Sequence, residues 1–285
     1  MKETAKEPTL RQKRKLRSHF GFSKMPFCKA MWAQQMFDSQ SQREMLDGML
    51  LWSELRGIAL VTGPAGVGKS ITLRRFVAEL DESRVHLIDF EYLPTTTTGF
   101  LRSLSRKLDL PMRAHRADLF DAAQTHLRSF EKEHGPHPIL IVDNGEGLTA
   151  SVLDVLCRLT SYELDAEDRF SILLAGTDEL LATLRDPSLS SLRSRIGYAQ
   201  TLRPFSLEDV RNYVAFHLSR SEVDPKLFTE EATKRIFQAS HGRPRSINQL
   251  ATQALIQAVV LGRESIDGDF VSHLIAAHPL YQAQS

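Results

Sequence analysis

Gly63-Pro-Ala-Gly-Val-Gly-Lys69-Ser70 packs three glycines, a lysine and a hydroxyl into eight residues. The spacing is G-x-x-x-x-G-K-[ST] without a mismatch. Glycines let a backbone wrap an anion, so that its N–H groups and a following helix N-terminus point at a phosphate. Lys69 would then reach the β- and γ-phosphates of a nucleotide, and Ser70 would hold Mg²⁺. The expected nucleotide cradle is Gly63, Pro64, Ala65, Gly66, Val67, Gly68, Lys69, Ser70 and Ile71. The competing reading is a glycine-rich turn with a chance lysine. Context argues against it: the apolar run Ile58–Val61 precedes the motif, and a helical pattern with Ile71, Leu73, Phe76, Val77 and Leu80 follows.

A second acidic position lies further on. Asp143 ends the apolar run Pro138-Ile-Leu-Ile-Val142. An aspartate there can bind the water shell of Mg²⁺, as a Walker B residue does. Nucleotidases of this type usually follow that Asp with Glu, which orients the attacking water. Here the next residue is Asn144, which can hydrogen-bond water but cannot take its proton, so slow hydrolysis is expected. Glu146 is the other candidate carboxylate. If the chain stays extended, residues 144 and 146 project to the same side, and Gly145 permits adjustment. The alternative, that Glu146 is a solvated loop residue, stays open.

Four further side chains complete the candidate set. Thr177, after the apolar run ending Ala175-Gly176, is placed to contact a γ-phosphate or the lytic water; a plain turn residue is the other reading. Asp178 and Glu179 suit the first turn of a following helix. In Ser191-Leu-Arg193-Ser-Arg195-Ile196, an arginine could reach a neighbouring subunit's γ-phosphate, because its fork stays charged and binds phosphate bidentately. Arg193 and Arg195 are not separated by sequence, and a solvated pair is the competing view. Arg245, in Gly242-Arg-Pro-Arg245, opens a helix that can report nucleotide to the C-terminal part, whereas Arg243 is expected at the surface.

Strand-like and helix-like segments alternate behind these residues. Helical spacing covers Gln42–Leu55, Leu93–Leu108, Ala117–Lys132 and Val152–Leu159. Strand patterns cover Ile58–Val61, Val85–Phe90, Pro138–Asp143 and Phe170–Ala175. Alternation of this kind implies a parallel sheet covered on both faces. After about residue 204 the strand patterns stop. Ser206-Leu-Glu-Asp209 reads as a capping box, Thr229 and Pro244 open two more helices, and a fourth spans about Asp267 to Ala277. The expected fold class is therefore α/β, a P-loop parallel sheet sandwiched by helices, followed by a small all-helical lid. The expected boundaries are 1–40 for a basic arm and aromatic-rich segment, 41–203 for the nucleotide-binding domain and 204–285 for the lid.

With 42% apolar and 25% charged residues, the chain reads as an ordinary globular protein. Its net charge of +1 hides an asymmetry: residues 1–24 hold eight basic and two acidic residues, +6, and the remainder sums to −5. Residues 1–18 read as a flexible basic arm. Cys28 and Cys157 lack metal-ligand spacing and read as reduced thiols of a cytoplasmic protein. Neither a secretory signal nor a bilayer-spanning run is evident.

From about Phe20 to Ile275 the chain resembles AAA+ ATPases of the ExeA-like group. The resemblance rests on His19-Phe-Gly-Phe22 with Pro26-Phe27, on Gly63–Ser70, Ile139–Asp143, Ala175-Gly176 with Glu179-Leu180, Leu192–Ile196, and Gly242-Arg-Pro-Arg-Ser-Ile-Asn248. That group holds general-secretion ATPases and transposition regulators of the TnsC, TniB and IstB type. The secretion members carry a membrane span and a cell-wall-binding region. Read to Ser285, this sequence shows neither, so the expectation falls on the transposition branch. The resemblance implies ATP and Mg²⁺ as cofactors, a ring or filament of identical subunits on double-stranded DNA, and a transposase as partner, with no membrane. It also implies that duplex DNA is tracked by a helix after the second strand, here Thr95, Thr96, Thr97 and Thr98 with Arg102, Arg106 and Lys107. Hydroxyls and helix N-terminal N–H groups hold phosphates, and basic residues add counterion release. The arm at Arg11–Arg17 could add more. Equally, the threonines could only cap and the charges only solvate. No base-reading set is present, so binding would be sequence-neutral. Two alternatives remain: a secretion or envelope-assembly ATPase acting on protein partners, and a signalling or helicase-loader relative.

Overall fold

A buried strand of 5 residues precedes the phosphate loop and a helix of 11 residues follows it. The computed structural model describes residues 16–28, 36–90, 93–161, 168–278 and 281. Their contacts gather into one unit of residues 40–65 and 69–203, and a second of residues 204–285 with the chain up to residue 39 and Gly66–Gly68.

The first unit runs α1 (Gln40–Leu55), β1 (Ile58–Thr62), α2 (Lys69–Glu79), β2 (Val85–Asp89), α3 (Thr97–Lys107), α4 (Arg116–His134), β3 (His137–Val142), α5 (Ala150–Leu159), β4 (Ser171–Gly176), α6 (Asp178–Leu184), α7 (Ser190–Ser194) and β5 (Ile196–Thr201). The strands form one sheet in the order β2-β3-β4-β1-β5, every pairing parallel. Parallel strands need covered crossovers, and helices flank this sheet. The central strands β1, β3 and β4 are buried at every residue. That is why their sequences are continuous apolar runs. Ile58, Leu60, Leu140, Val142, Ile172 and Leu174 join Phe100, Leu104, Leu119, Leu127, Leu153 and Leu156 in one core.

Strand β5 is a correction. The last strand pattern expected from the sequence is Phe170–Ala175. Ile196–Thr201 nevertheless pairs with β1 at the sheet edge, alternately half-buried and exposed. An edge strand written Ile-Gly-Tyr-Ala-Gln-Thr lacks the apolar run that reveals a central one.

The second unit holds α8 (Leu207–Ser219), α9 (Glu230–Ser240), α10 (Pro244–Leu261) and α11 (Gly268–Ala277). Ser206 and Asp209 close the expected capping box, and Thr229 and Asp267 cap α9 and α11. Val210, Val214, Leu218, Ile236, Ile247, Leu250, Leu255 and Val271 form its core. The aromatic-rich N-terminal segment belongs to that core: Phe22 and Phe27 are buried in it. The Phe27 N–H donates to Nδ1 of the buried His217 at 3.3 Å. Phe37 packs against Phe205, Tyr213 and Phe216. Residues 16–20 are helical and Leu16 is buried, so the end of the expected flexible arm is ordered. Arg11 to Lys15 lie outside the described residues. Among those described, no helix is long and apolar enough to cross a membrane.

Candidate nucleotide site at the carboxyl edge of the sheet

All five strands point the same way, so the loops after them leave one edge. Ligands of open parallel sheets bind at that edge. Register sets the spacing. Val142 of β3 pairs with Leu174 of β4, and Leu174 pairs with Leu60 of β1. Gly176 pairs with Thr62. Asp143, Thr177 and the start of the phosphate loop therefore emerge side by side, across two strand spacings of about 4.8 Å each.

In the loop, Gly66 and Gly68 take φ of 78° and 118°, and α2 starts at Lys69. Gly66 needs its missing side chain twice over. Its φ is left-handed, and a Cβ there would come 2.9 Å from Cβ of Arg245. The Arg245 N–H donates to the Gly66 carbonyl at 3.2 Å. This fastens the first turn of α10 to the middle of the loop, and both residues belong to the second unit. Lys69 is buried, and its Nζ donates to the Gly63 carbonyl at 2.7 Å and the Pro64 carbonyl at 3.3 Å. Ser70 stands exposed in the first turn of α2. Arg243, expected at the surface, is half-buried, with Nε donating to the Ser240 carbonyl at 3.2 Å.

The turn after β3 departs from expectation. The chain is not extended at residues 144–146. Asn144 is left-handed (φ 57°, ψ 44°) and exposed, its N–H donating to Oδ1 of Asp143 at 2.9 Å. Asparagine tolerates that conformation because its side chain is short and polar. Gly145–Gly147 then form a single 3₁₀ turn. The turn swings Glu146 toward β4, where its Oε2 accepts the Thr177 N–H at 3.1 Å. Gly176 makes room: a Cβ there would lie 2.9 Å from that same carboxylate oxygen. The Thr177 hydroxyl is buried, makes no capping bond to α6 and has no hydrogen-bond partner among the described residues.

Both arginines of the Leu192–Ile196 segment bind backbone carbonyls. The exposed Arg193 donates from Nη1 to Leu184 at 2.5 Å and Asp186 at 2.7 Å. The half-buried Arg195 donates to the Cys157 carbonyl at 3.1 Å and to the Ser161 hydroxyl, bracing the C-terminal end of α5.

On α3, Thr96 is the N-cap, its hydroxyl accepting the Gly99 N–H at 3.1 Å. The Thr95 carbonyl accepts the Thr149 hydroxyl. Thr97 and Thr98 are half-buried. Arg102 and Arg106 are exposed one turn apart, while Lys107 pairs with Asp89 at 3.4 Å.

The sequence reading passed over a polar network at the opposite edge of the sheet. Arg56 binds Glu131 with both guanidinium nitrogens at 3.0 and 2.6 Å. Its hydrogen bond holds the Glu131 carboxyl below the ordinary carboxylate range. His137 bonds Ser171 at 2.8 Å, and Ser171 Oγ also accepts the Gly57 N–H. Burial first, and then Arg56, pushes His137 down to about 4. Nothing local marks these residues, since partners lie 75 and 34 positions apart.

The site's chemistry suits a polyphosphate: a loop of backbone donors, a buried ammonium, a hydroxyl at a helix start and a carboxylate two strands away. Among the described residues, no three His, Cys, Asp or Glu side chains converge on a metal position. A cation here would draw on Ser70, Asp143 and the ligand's own oxygens, as Mg²⁺ habitually does.

Residues 53–184 match the family model described as AAA domain. General secretion pathway protein A of Aeromonas hydrophila is 30% identical over 251 residues, 87% of this chain and 45% of that protein. The chain thus spans just under half the length of that relative. Among solved structures, Cdc6p of Pyrobaculum aerophilum superposes with a TM-score of 0.62 at 19% identity, over 84% of this chain and 67% of that one. The ORC2 protein of Aeropyrum pernix gives 0.59 at 16%, over 92% and 71%. The RuvB Holliday junction branch migration motor of Thermotoga maritima gives 0.52 at 18%, over 84% and 69%. At such identities these structures speak for the fold alone.

Proposed function

We propose that this protein is an ATP-dependent assembly switch that hydrolyses its nucleotide slowly. The observation that carries the reading is the common edge shared by the start of the phosphate loop, Asp143 and Thr177. ATP would lie on the loop N–H groups and Lys69, with Mg²⁺ between Ser70, Asp143 and the phosphates. Arg245 would carry the nucleotide state into the helical unit. Asn144 lowers turnover, since its amide takes no proton. Arg193 and Arg195 both donate to backbone carbonyls; Arg193 is the better trans-acting candidate because it is exposed, whereas Arg195 is half-buried.

The assembly's target on this reading is duplex DNA, met through Arg102, Arg106 and the N-terminal turn of α3. A transposase is the partner recruited or activated there, and hydrolysis disassembles the oligomer. Exposure of both arginines on one helix face supports this. The similarity to General secretion pathway protein A supports a second reading, an ATPase that acts on protein partners of an envelope assembly. Sedimentation of the protein with duplex DNA, in a non-hydrolysable ATP analogue and in ADP, separates the two. Co-sedimentation with the analogue and not with ADP is expected. Analogue-driven assembly that ignores DNA selects the protein-partner reading, and equal behaviour in both nucleotides sinks the switch.

A further inference from the structure

We infer that Glu146 is the general base of ATP hydrolysis in this protein, and that Glu146 and the Thr177 hydroxyl together hold the attacking water. The inference rests on the ATP-binding reading above and assigns the group that reading leaves without an owner.

Three observations meet at one point. The position that usually supplies the base holds Asn144, an amide turned out to solvent on a left-handed residue. The 3₁₀ turn delivers the Glu146 carboxylate instead to the end of β4, where Oε2 is fixed by the Thr177 N–H at 3.1 Å. The hydroxyl of the same Thr177 is buried and has no hydrogen-bond partner among the described residues. A buried hydroxyl without a partner is costly and rare unless something outside the protein pairs with it. Water is the smallest such partner, and a carboxylate with a neighbouring hydroxyl can hold it from two sides. The pair lies between the strand that ends at Asp143 and the strand that feeds the phosphate loop, which is where a γ-phosphate on Lys69 would be attacked. Gly176 lets Leu180 and the Glu146 carboxylate close in, since a Cβ there would come 2.6 Å from Leu180 and 2.9 Å from Oε2 of Glu146.

Glu146 takes a proton from water as the water oxygen forms a bond to the γ-phosphorus. The bond from that phosphorus to the β–γ bridging oxygen breaks, and its electron pair leaves with ADP. The products are ADP and inorganic phosphate, and the proton passes from Glu146 to phosphate or solvent. The bond to the Thr177 N–H uses one carboxylate oxygen and leaves the other free for the water.

Glu146→Gln separates this role from a structural one, because its amide oxygen still accepts the Thr177 N–H but takes no proton. Turnover should fall about 100-fold or more, while the Kd for a fluorescent ATP analogue and the rise in melting temperature on adding ATP stay at wild-type values. Glu146→Ala should lose turnover equally and regain part of it with added formate, a small carboxylate that fits the vacated space. Thr177→Val should lower kcat with little change in analogue binding. A Glu146→Gln enzyme that turns over at the wild-type rate would overturn the assignment. So would a loss of turnover matched by loss of analogue binding, or the absence of formate rescue. Wild-type protein that fails to bind the analogue at all removes the ATP-binding reading itself, and this inference with it.

Discussion

Lys69 is buried and held by two loop carbonyls, so its ammonium is already in place under the loop. On the ATP reading it exchanges those neutral acceptors for phosphate, a stronger charge-assisted partner. Lys69→Ala should weaken analogue binding at least about tenfold, about 1.4 kcal/mol, in a fluorescence titration. Histidines make a second prediction. His137 and His217 are each pushed down to about 4, chiefly by burial, with Arg56 and Arg220 adding to it. Unfolded, both would titrate near 6.5. As pH falls the unfolded chain therefore takes up protons first, and stability declines from about pH 6.5 to about pH 4 before levelling. The loss by pH 5 is about 2 kcal/mol for each. Denaturant melts at pH 7 and pH 5 measure it, and His217→Asn, which keeps an acceptor for the Phe27 N–H, should remove roughly half of the difference.

Helix α3 serves two ends. Its start is built on Thr96, so the threonine run does cap, as one reading of the sequence held. Capping does not exclude phosphate contact, because the exposed Arg102 and Arg106 need no help from the cap. Lys107 differs from them, being paired with Asp89. Arg102→Ala with Arg106→Ala should weaken DNA binding uniformly across sequences and reduce the salt slope by about 2. Lys107→Ala should change both less. A filter-binding series over salt concentration checks this, and an unchanged slope would remove α3 from the interface. The same element level explains what pattern-reading caught. Central strands announce themselves by continuous apolar runs, and α8, α9 and α11 by their caps. Edge strand β5, half solvated, matches no strong template, so the last strand pattern in the sequence is Phe170–Ala175.

An arginine acting between protomers makes turnover a property of the oligomer. Arg193→Ala should bind nucleotide normally and hydrolyse it poorly. Lys69→Ala should bind poorly yet still present Arg193 to a neighbour. Mixing the two inactive variants should restore part of the turnover, read by phosphate release, because some sites then combine an intact loop with an intact arginine. No recovery on mixing would place Arg193 within its own subunit's fold, where its bonds to Leu184 and Asp186 already hold it.

The linear order of residues was enough for the α/β class, the phosphate loop, the acidic strand end and the helical C-terminal part. Each of these is written in contiguous residues whose spacing obeys a local rule: glycine conformational freedom, strand burial, helix capping. Folding in three dimensions alone decided where Glu146 goes. Its position follows from a left-handed Asn144, a 3₁₀ turn and the backbone N–H of Thr177, just past the end of β4 and 31 residues further along. The same holds for the pairing of Lys107 with Asp89 and for the Arg56–Glu131–His137 network. Those are contacts between distant segments, and no local periodicity encodes which surfaces the packed sheet will bring together.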